Sequence, residues 1–377
     1  MKNADEFYIP IIKSDVLIDG ISAAPAQKGG QALILQKAFV HSLQSDFATI
    51  VNNLVNFFYS SLSRRTINEG LVIIKKDNTA KIYSEFPLSL QMHAKKDMSK
   101  GTLVTAEDVF EITEMQFKDA IYQIDIDSGD KIIYLFRIEW KFGLYFDLTG
   151  TLNPAKFGEE LAYHYKRLFY YDLYSFIENE NYYTNLIDDG WFPFVRILGK
   201  DFDVIMQYYK DGRKHDFQMD DLIAKFDKNK IESFTQYWWR KDLFKDKKAI
   251  IESGISSFSN NDQAGFISCL HILYPQIEGI MGLDYFNAHG SKPNFKELQN
   301  YIKQKAESSF KAVSSLGFPN EFYEYLNHSV FENFDLATGR VDLSRHTTSH
   351  GYANANDFNK SKALQAILIL DQIYFYL

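Results

Sequence analysis

The chain has 377 residues, of which 46% are hydrophobic and 16% aromatic, with a formal net charge of −8 and a pI near 5.6. This apolar content excludes extensive disorder and provides for large buried aromatic clusters. The length favours two or three packed units, and the acidic balance excludes a global basic surface for nucleic acid or anionic membranes. Any contact with RNA must therefore be local.

Three features indicate where the protein resides. Cys269 is the only cysteine and lies in an apolar run, so we expect a buried thiol in a reducing compartment rather than a disulfide. The first residues lack the basic region, the long apolar run and the cleavage site of a secretory signal. No apolar run approaches the roughly 18 residues of a membrane span. The sequence therefore predicts a cytoplasmic protein without a membrane segment.

The N-terminal half combines helical and strand-like patterns. Residues 1–28 mix short apolar runs with Pro and Gly, and we interpret them as an extended lead-in. Apolar residues spaced at three and four between Gly30 and Leu62 predict a long amphipathic helix. Strand-like runs separated by turn-forming clusters follow at residues 71–76, 81–86, 120–126, 131–140 and 144–148. Residues 29–186 are therefore expected to form a mixed helix and antiparallel sheet module.

The C-terminal half is predicted to be helical. From Pro154 the apolar period becomes helical, with Asn153 as the expected N-cap. Residues 187–216 contain several Gly and Pro and are interpreted as a connector. Further helices are expected at 220–239, 245–258, 262–283, 294–316, 320–331 and 359–377. The last is apolar on nearly all sides, which is typical of the centre of a bundle or of a dimer interface. The predicted fold class is thus α+β, with a helical domain at 217–377.

A short polar helix is predicted just before the last helix. Residues 343–350 can form it, with Asp342 or Ser344 near its start and Gly351 as its stop. Because this polar stretch lies between apolar helices, its side chains are expected to line a groove.

Arg345 and His350 lie in this stretch in an Arg-x4-His arrangement, and they are the candidate catalytic residues. In metal-free RNA cleavage the 2′-OH attacks the adjacent phosphate, so one group must move protons and another must stabilise charge on the phosphate. Histidine titrates near neutral pH, which suits His350 to proton transfer. Arg345 stays cationic and presents a bidentate fork to phosphate oxygens. Side chains five residues apart diverge by about 140° on an ideal helix, so the two would not converge within one helix.

The segment resembles the Arg-x4-6-His motif of HEPN domains, which are units of four or five helices in which the motif precedes a final hydrophobic helix. Arg345 and His350 match the motif, and His346 occupies the next position, which is usually polar in that family. The resemblance covers about residues 218–377, and the run around Glu278 is also similar to the helix that precedes the motif. It implies a metal-independent endoribonuclease whose site is completed across the twofold axis of a homodimer.

The resemblance also implies partners and alternatives. RNA is the expected substrate, His346, Ser349 and Tyr352 are the candidate substrate-binding residues, and a defence or toxin system would add a regulatory or antitoxin partner. In one variant of the family a Tyr two positions after the His is a target of nucleotide modification, and Tyr352 has that spacing; a packed or hydrogen-bonded Tyr is the alternative. Arg345 and His350 could instead be a surface pair or helix-end cations. A HEPN-like fold without activity would be an RNA- or protein-binding sensor or scaffold.

A metal-dependent nuclease is the competing enzyme hypothesis. The pattern resembles the carboxylate and Glu-x-Lys arrangement of enzymes that hold Mg²⁺ on a strand. It consists of Asp125, Asp127 or Asp130, followed by Glu139 and Lys141. The alternative is a turn followed by the solvated face of a strand. The histidines lack zinc-ligand spacing and there is no phosphate-binding glycine loop, so the sequence predicts neither a metal nor a cofactor for the Arg345 and His350 site.

Overall fold

The computed structural model describes residues 9–12, 28–30, 36–59, 69–77, 79–84, 86, 88–118, 124–212, 219–310, 314–331 and 344–377. The chain divides into two compact units. The sheet unit comprises Met1–Met92 and Ile112–Tyr171, and the helical unit comprises His93–Glu111 and Asp172–Leu377. The predicted α+β class is confirmed, because an antiparallel sheet in the first unit is followed by helices in the second.

The described residues include eight strands, and six of them form one sheet. The strands are β1 (Ile9–Ile12), β2 (Lys37–His41), β3 (Glu69–Ile74), β4 (Thr79–Ser84), β5 (Ser89–Ala94), β6 (Val109–Gln116), β7 (Lys131–Ile138) and β8 (Lys141–Asp147). The large sheet has the order β1-β4-β3-β7-β8-β2, and all of its neighbouring strands are antiparallel. β5 and β6 form a separate two-stranded ribbon.

Two helices cover the two faces of the large sheet. Helix α1 (Phe47–Tyr59) packs Leu54 against an apolar face that includes Val72 and Phe146. Helix α2 (Pro154–Phe169) packs aromatic side chains against the opposite face. The predicted start of α2 is confirmed, since the Asn153 side chain accepts a hydrogen bond from the Ala155 amide at 3.1 Å. Successive residues of a strand point to opposite faces of the sheet, so the same strands supply apolar side chains to both helices.

The prediction of one long helix from Gly30 to Leu62 was wrong. Residues 37–41 form edge strand β2, which pairs with β8, and the helix begins only at Phe47. Phe39 and Leu43 matched the helical spacing, but pairing with a strand about 100 positions away in the sequence satisfies the backbone of this segment instead. Residues 31–35 and 60–62 of that predicted helix, most of the lead-in, and residues 120–123 of a predicted strand lie outside the described residues.

Helices dominate the second unit, and a π-helical turn, Leu326–Val330, follows one of them. In the described ranges the helices that follow α2 are α3 (Tyr171–Ile177), α4 (Glu180–Asp188), α5 (Lys200–Lys210), α6 (Met219–Ala224), α7 (Lys228–Thr235), α8 (Asp242–Lys245), α9 (Lys248–Ser259), α10 (Gln263–His289), α11 (Phe295–Phe310), α12 (Pro319–Tyr325), α13 (Arg345–His350) and α14 (Lys360–Tyr376).

Helix α14 is the centre of this unit, as its all-round apolar pattern predicted. Its side chains are buried almost without interruption from Ala363 to Ile373, and it packs against α6, α9, α10 and α11. The helix starts where Asn359 caps it by accepting a hydrogen bond from the Lys362 amide at 3.0 Å. Each buried Leu or Ile contributes roughly 1.5–3 kcal/mol, so this helix is a major source of the unit's stability.

Residues 187–216 differ from the connector that the sequence predicted. Within the described part, Trp191, Phe192 and Phe194 are buried and α5 is a regular helix, so the segment belongs to the core of the helical unit. Gly190 and Gly199 adopt positive φ angles of 77° and 117°. The glycines therefore mark tight turns in a packed segment rather than a linker. Residues 213–216 lie outside the described ranges.

A buried ion pair attaches this segment to α14. Arg196 donates from Nε to the Asp371 carboxylate at 2.7 Å, and the Trp238 indole N–H donates to the same carboxylate, also at 2.7 Å. The guanidinium also donates to the Lys95 carbonyl at 2.8 Å. Asp371 is buried, so the charge of Arg196 and the hydrogen bond from Trp238 must compensate for the loss of water around its carboxylate.

Helix α10 is a long, apolar helix of 27 residues. Of the helices in the described ranges, α10 alone meets the length and hydropathy of a span. However, Cys269, Leu273 and Ile277 are buried within the protein, and the helix packs against α9 and α14. It also carries Glu278 and Asp284. We therefore interpret α10 as a core helix.

We expect Asp371→Asn to destabilise the protein by about 3–5 kcal/mol, because the substitution leaves the charge of Arg196 buried without a counterion. Trp238→Phe removes one hydrogen bond to the carboxylate, worth about 1.5–3 kcal/mol, and also leaves a small cavity because Trp238 is fully buried. Urea unfolding followed by circular dichroism measures both. A loss below about 1 kcal/mol for Asp371→Asn would contradict the role assigned to the pair.

Candidate functional site

Helix α13 is short, and caps at both ends define it. Ser344 is the N-cap: its backbone amide donates to Thr347 Oγ1 at 2.8 Å, and its Oγ accepts from the Thr347 amide at 3.3 Å. At the other end Gly351 has a positive φ of 73°, and the Tyr352 amide donates to the Thr347 carbonyl at 2.9 Å. This is a Schellman-type stop. The predicted helix is confirmed with Ser344 as its cap, whereas Asp342, the other candidate, lies outside the described residues.

The structure brings Arg345 to a partner on α10. An Nη of Arg345 lies 2.7 Å from a carboxylate oxygen of Glu278, and the two side chains are 27% and 36% exposed. An ion pair this exposed contributes less than about 1 kcal/mol to stability, so its main effect is to orient the guanidinium. Among the described residues the Nε of Arg345 has no hydrogen-bond partner.

The other predicted site residues lie on α13 or directly after it. His346 is half-buried, whereas His350, Ser349 and Tyr352 are exposed. The rings of His346 and His350 are parallel, with an interplanar angle of 2° and centroids 6.4 Å apart. Residues four apart share a helix face, which explains this alignment. The nucleotide modification of Tyr352 stays a prediction.

The charge environment of His346 shifts its protonation. Burial and, next to it, the positive charge of Arg345 lower the pKa of His346 below its ordinary value. His350 acts in the same direction, whereas Glu278 raises the pKa. The net result favours the neutral imidazole at neutral pH, which is the form that can accept a proton.

A groove of about 570 Å³ runs along α10 and reaches Arg345. Its lining extends on α10 from Pro275 to Phe286, which is about 16 Å of helix. Gly279 and Gly282 form part of its surface, and a Cβ at either position would project into open space. The groove has the charged pair Arg345 and Glu278 at one end and a largely apolar part around Leu283, Phe286 and Leu298, whose lining also includes Lys292 and Asn294.

The sequence indicated the polar segment but not this groove. Gly279 and Gly282 lie in a run predicted only as a helix, and Phe286 lies beyond the predicted end of that helix at residue 283. Glu278 was noticed only through its resemblance to the helix before the motif. Two glycines three residues apart in a helix are unfavourable unless backbone exposure or close packing has a use. That signal could have identified the open face of α10.

The structure does not bring together the carboxylates of the competing metal site. Lys75 Nζ lies 2.7 Å from Asp130 and 3.0 Å from Asp127, and the hydrogen bond from Lys75 lowers the pKa of Asp127. Glu139 lies in the turn at the other end of β7, about 26 Å away along a strand of eight residues. Glu139 is therefore too far from Asp127 and Asp130 for one metal ion to bind all three carboxylates.

Within the described ranges no group of three or more His, Cys, Asp or Glu side chains is placed to hold a metal ion. No protein-family model, curated protein or solved structure matches this chain. The resemblance to HEPN domains therefore depends on the residues of the motif and stays a prediction.

We expect Ser344→Ala to weaken α13 by about 1 kcal/mol, because the N-cap oxygen that accepts from the Thr347 amide is removed. Faster hydrogen exchange at the Thr347 and Thr348 amides would measure this fraying. Ser349→Ala, an exposed change on the same helix, is the matched control and should alter exchange little. Equal exchange in both variants would show that the cap does not maintain the helix.

Proposed function

We propose that this protein is a metal-independent endoribonuclease whose helical unit contains a HEPN-like domain. Arg345 stabilises negative charge on the scissile phosphate, and His350 transfers a proton during the cleavage in which the 2′-OH attacks that phosphate. The products are a 2′,3′-cyclic phosphate end and a 5′-OH end. Nothing in this chemistry requires the acidic turn at Asp127 and Asp130.

The observation that carries the proposal is the placement of Arg345. Its guanidinium is oriented by Glu278 at the edge of a groove, on a capped helix that also carries His350. The ion pair engages one Nη, so further N–H groups of the planar fork can bind phosphate oxygens. Orientation of a cation before the substrate arrives is what charge stabilisation in a transition state requires.

We further propose that the active form is a homodimer. Ile272, Pro275, Gly279, Leu283 and Phe286 recur at three and four along α10, and Leu283 and Phe286 are 39% and 50% exposed. A stripe with this spacing matches the packing of a second helix. A second copy on the apolar part of the groove leaves the charged end open to RNA. It also supplies a second α13, which removes the difficulty that residues five apart diverge on one helix.

The biological setting follows from the resemblance alone. We propose a cytoplasmic role in a defence or toxin system, with RNA as substrate and a regulatory or antitoxin partner. The sheet unit is the candidate for sensing or for partner binding.

A binding module without catalysis is the second candidate. The observation in its favour is the same ion pair, since Glu278 already neutralises Arg345 and the rest of the groove is largely apolar. Such a protein would use the groove to bind RNA or another protein. Turnover distinguishes the two candidates, because a scaffold binds without cleaving.

We expect His350→Ala and Arg345→Ala each to reduce RNA cleavage by about 10²- to 10⁴-fold, because one removes the proton-transfer group and the other the phosphate cation. Both positions are at least partly exposed, so urea unfolding should show stability close to that of the wild type. Cleavage of labelled RNA in the presence of EDTA, with analysis of end groups, is the measurement.

Glu139→Ala is the control for this experiment, because Glu139 lies in a turn of the sheet unit and should leave the rate unchanged. Wild-type rates in both alanine variants of the motif would overturn the catalytic assignment and favour the binding module. Loss of cleavage on chelation would equally contradict the proposal.

We expect Phe286→Lys to convert the dimer to a monomer, since it places a charge in the apolar stripe. Light scattering after size exclusion measures the mass, and Asn287→Lys, exposed on the same helix outside the groove, is the matched control. Mixed dimers of Arg345→Ala and His350→Ala chains should recover about half of the activity if each site takes Arg from one copy and His from the other. A monomeric wild-type protein would refute the dimer.

A further inference from the structure

We propose that His346 is a second catalytic residue, which acts as the general base while His350 acts as the general acid of the RNA cleavage. This inference rests on the proposed function and adds a group that the Arg-x4-His motif does not include. With the motif alone, a single histidine would have to remove the proton of the 2′-OH and also protonate the leaving 5′-oxygen. The structure places two imidazoles side by side.

The geometry of α13 supports two separate proton-transfer groups. His346 and His350 are four residues apart, so they differ by about 40° around the helix and about 6 Å along it. Their rings are parallel, with centroids 6.4 Å apart. In an in-line displacement the attacking and leaving oxygens lie on opposite sides of the phosphorus, so the base and the acid must contact different atoms.

The charged groups around His346 favour the role of base for this residue. Arg345 and His350 on its own helix and Glu278 on α10 are the groups that act on it electrostatically. Its half-buried position and the neighbouring guanidinium oppose an additional positive charge, and the pKa of His346 is accordingly lowered. His350, by contrast, is exposed as the last residue of the helix. The half-buried His346 beside Arg345 is therefore assigned the role of the base, and the exposed His350 the role of the acid.

The proposed step balances without any further reactant. His346 accepts the proton of the 2′-OH as the 2′-oxygen forms a bond to phosphorus. The bond from phosphorus to the 5′-oxygen breaks, and His350 gives its proton to that oxygen. His346 ends protonated and His350 neutral, and proton exchange with water restores both. Arg345 neutralises charge on the non-bridging oxygens during the step.

The first test separates catalysis from substrate binding, the role that the sequence gave to His346. His346→Gln and His346→Asn keep a hydrogen-bonding side chain but cannot accept the proton. We expect both to lower kcat by about 10²- to 10⁴-fold with little change in KM. The neutral form of the base is required, so the wild-type rate rises with pH through the lowered pKa of His346, and this acidic limb should disappear in the variants.

The second test assigns the two roles with a substrate that needs no general acid. Uridine 3′-(4-nitrophenyl phosphate) releases a phenolate that leaves without protonation. On this substrate His350→Ala should recover most of its lost activity relative to RNA, whereas His346→Gln should stay as defective as on RNA. The exposed His93→Gln is the matched control, and thermal unfolding checks that every variant is folded.

The possible outcomes distinguish the two proposals. A wild-type protein that cleaves neither substrate overturns both the function and the dyad. Cleavage that requires His350 but is unchanged in kcat and pH profile in the His346 variants overturns only the dyad. An increase in KM alone assigns His346 to substrate binding and also overturns the dyad. Recovery of the His346 variants, rather than of His350→Ala, on the aryl substrate would overturn the assigned roles.

Discussion

The helical unit depends on the enclosure of α14, a helix that has no side suited to water. Its Leu and Ile side chains must be covered in every direction, and α6, α9, α10 and α11 provide most of that cover. Two polar residues enter the same core and have to be satisfied there. Asp371 meets Arg196, and Gln372 accepts a hydrogen bond from the Val195 amide at 3.0 Å. The segment that precedes α5 is thereby fixed against the central helix.

The candidate site depends on this packing indirectly, through α10. Helix α10 uses one side to cover α14 and α9, which leaves its other side, with Pro275, Gly279 and Gly282, as the surface of a groove. Helix α13 has six residues, too few to be stable alone, so its position depends on its two caps and on contact with α10. Neither Arg345 nor Glu278 is buried in the core around α14. The packing of that core nevertheless fixes α10 and thus the position of Glu278 beside Arg345. The geometry of the candidate site and the stability of the core are linked through α10.

The sequence predicted those features whose causes are local. The cap of α2, and the short helix that starts after Ser344 and stops at Gly351, follow from side chains within a few residues of each helix end. Strand β2 was not predicted because the spacing of its apolar residues matched a helix. Its conformation depends on pairing with β8, about 100 residues away in the sequence. The assignment of His93–Glu111 to the helical unit and the packing of the segment before α5 were not predicted for the same reason, since both depend on residues far away in the sequence. In the site, the polar motif was visible, but the ion pair to Glu278 required knowledge of which helices pack together.

The membership of His93–Glu111 in the helical unit has a consequence for the order of events during synthesis. This excursion is made early, yet within its unit Phe110 packs against Phe375 at a ring distance of 4.8 Å, and Glu111 accepts a hydrogen bond from the Leu316 amide at 2.9 Å. Those partners emerge from the ribosome more than 200 residues later. The central helix also follows every other element of its unit in the chain. The unit therefore cannot complete its core while it is being translated. The apolar faces of α9 and α10 that pack against α14 stay exposed to water, or bound by a chaperone, until α14 has been synthesised.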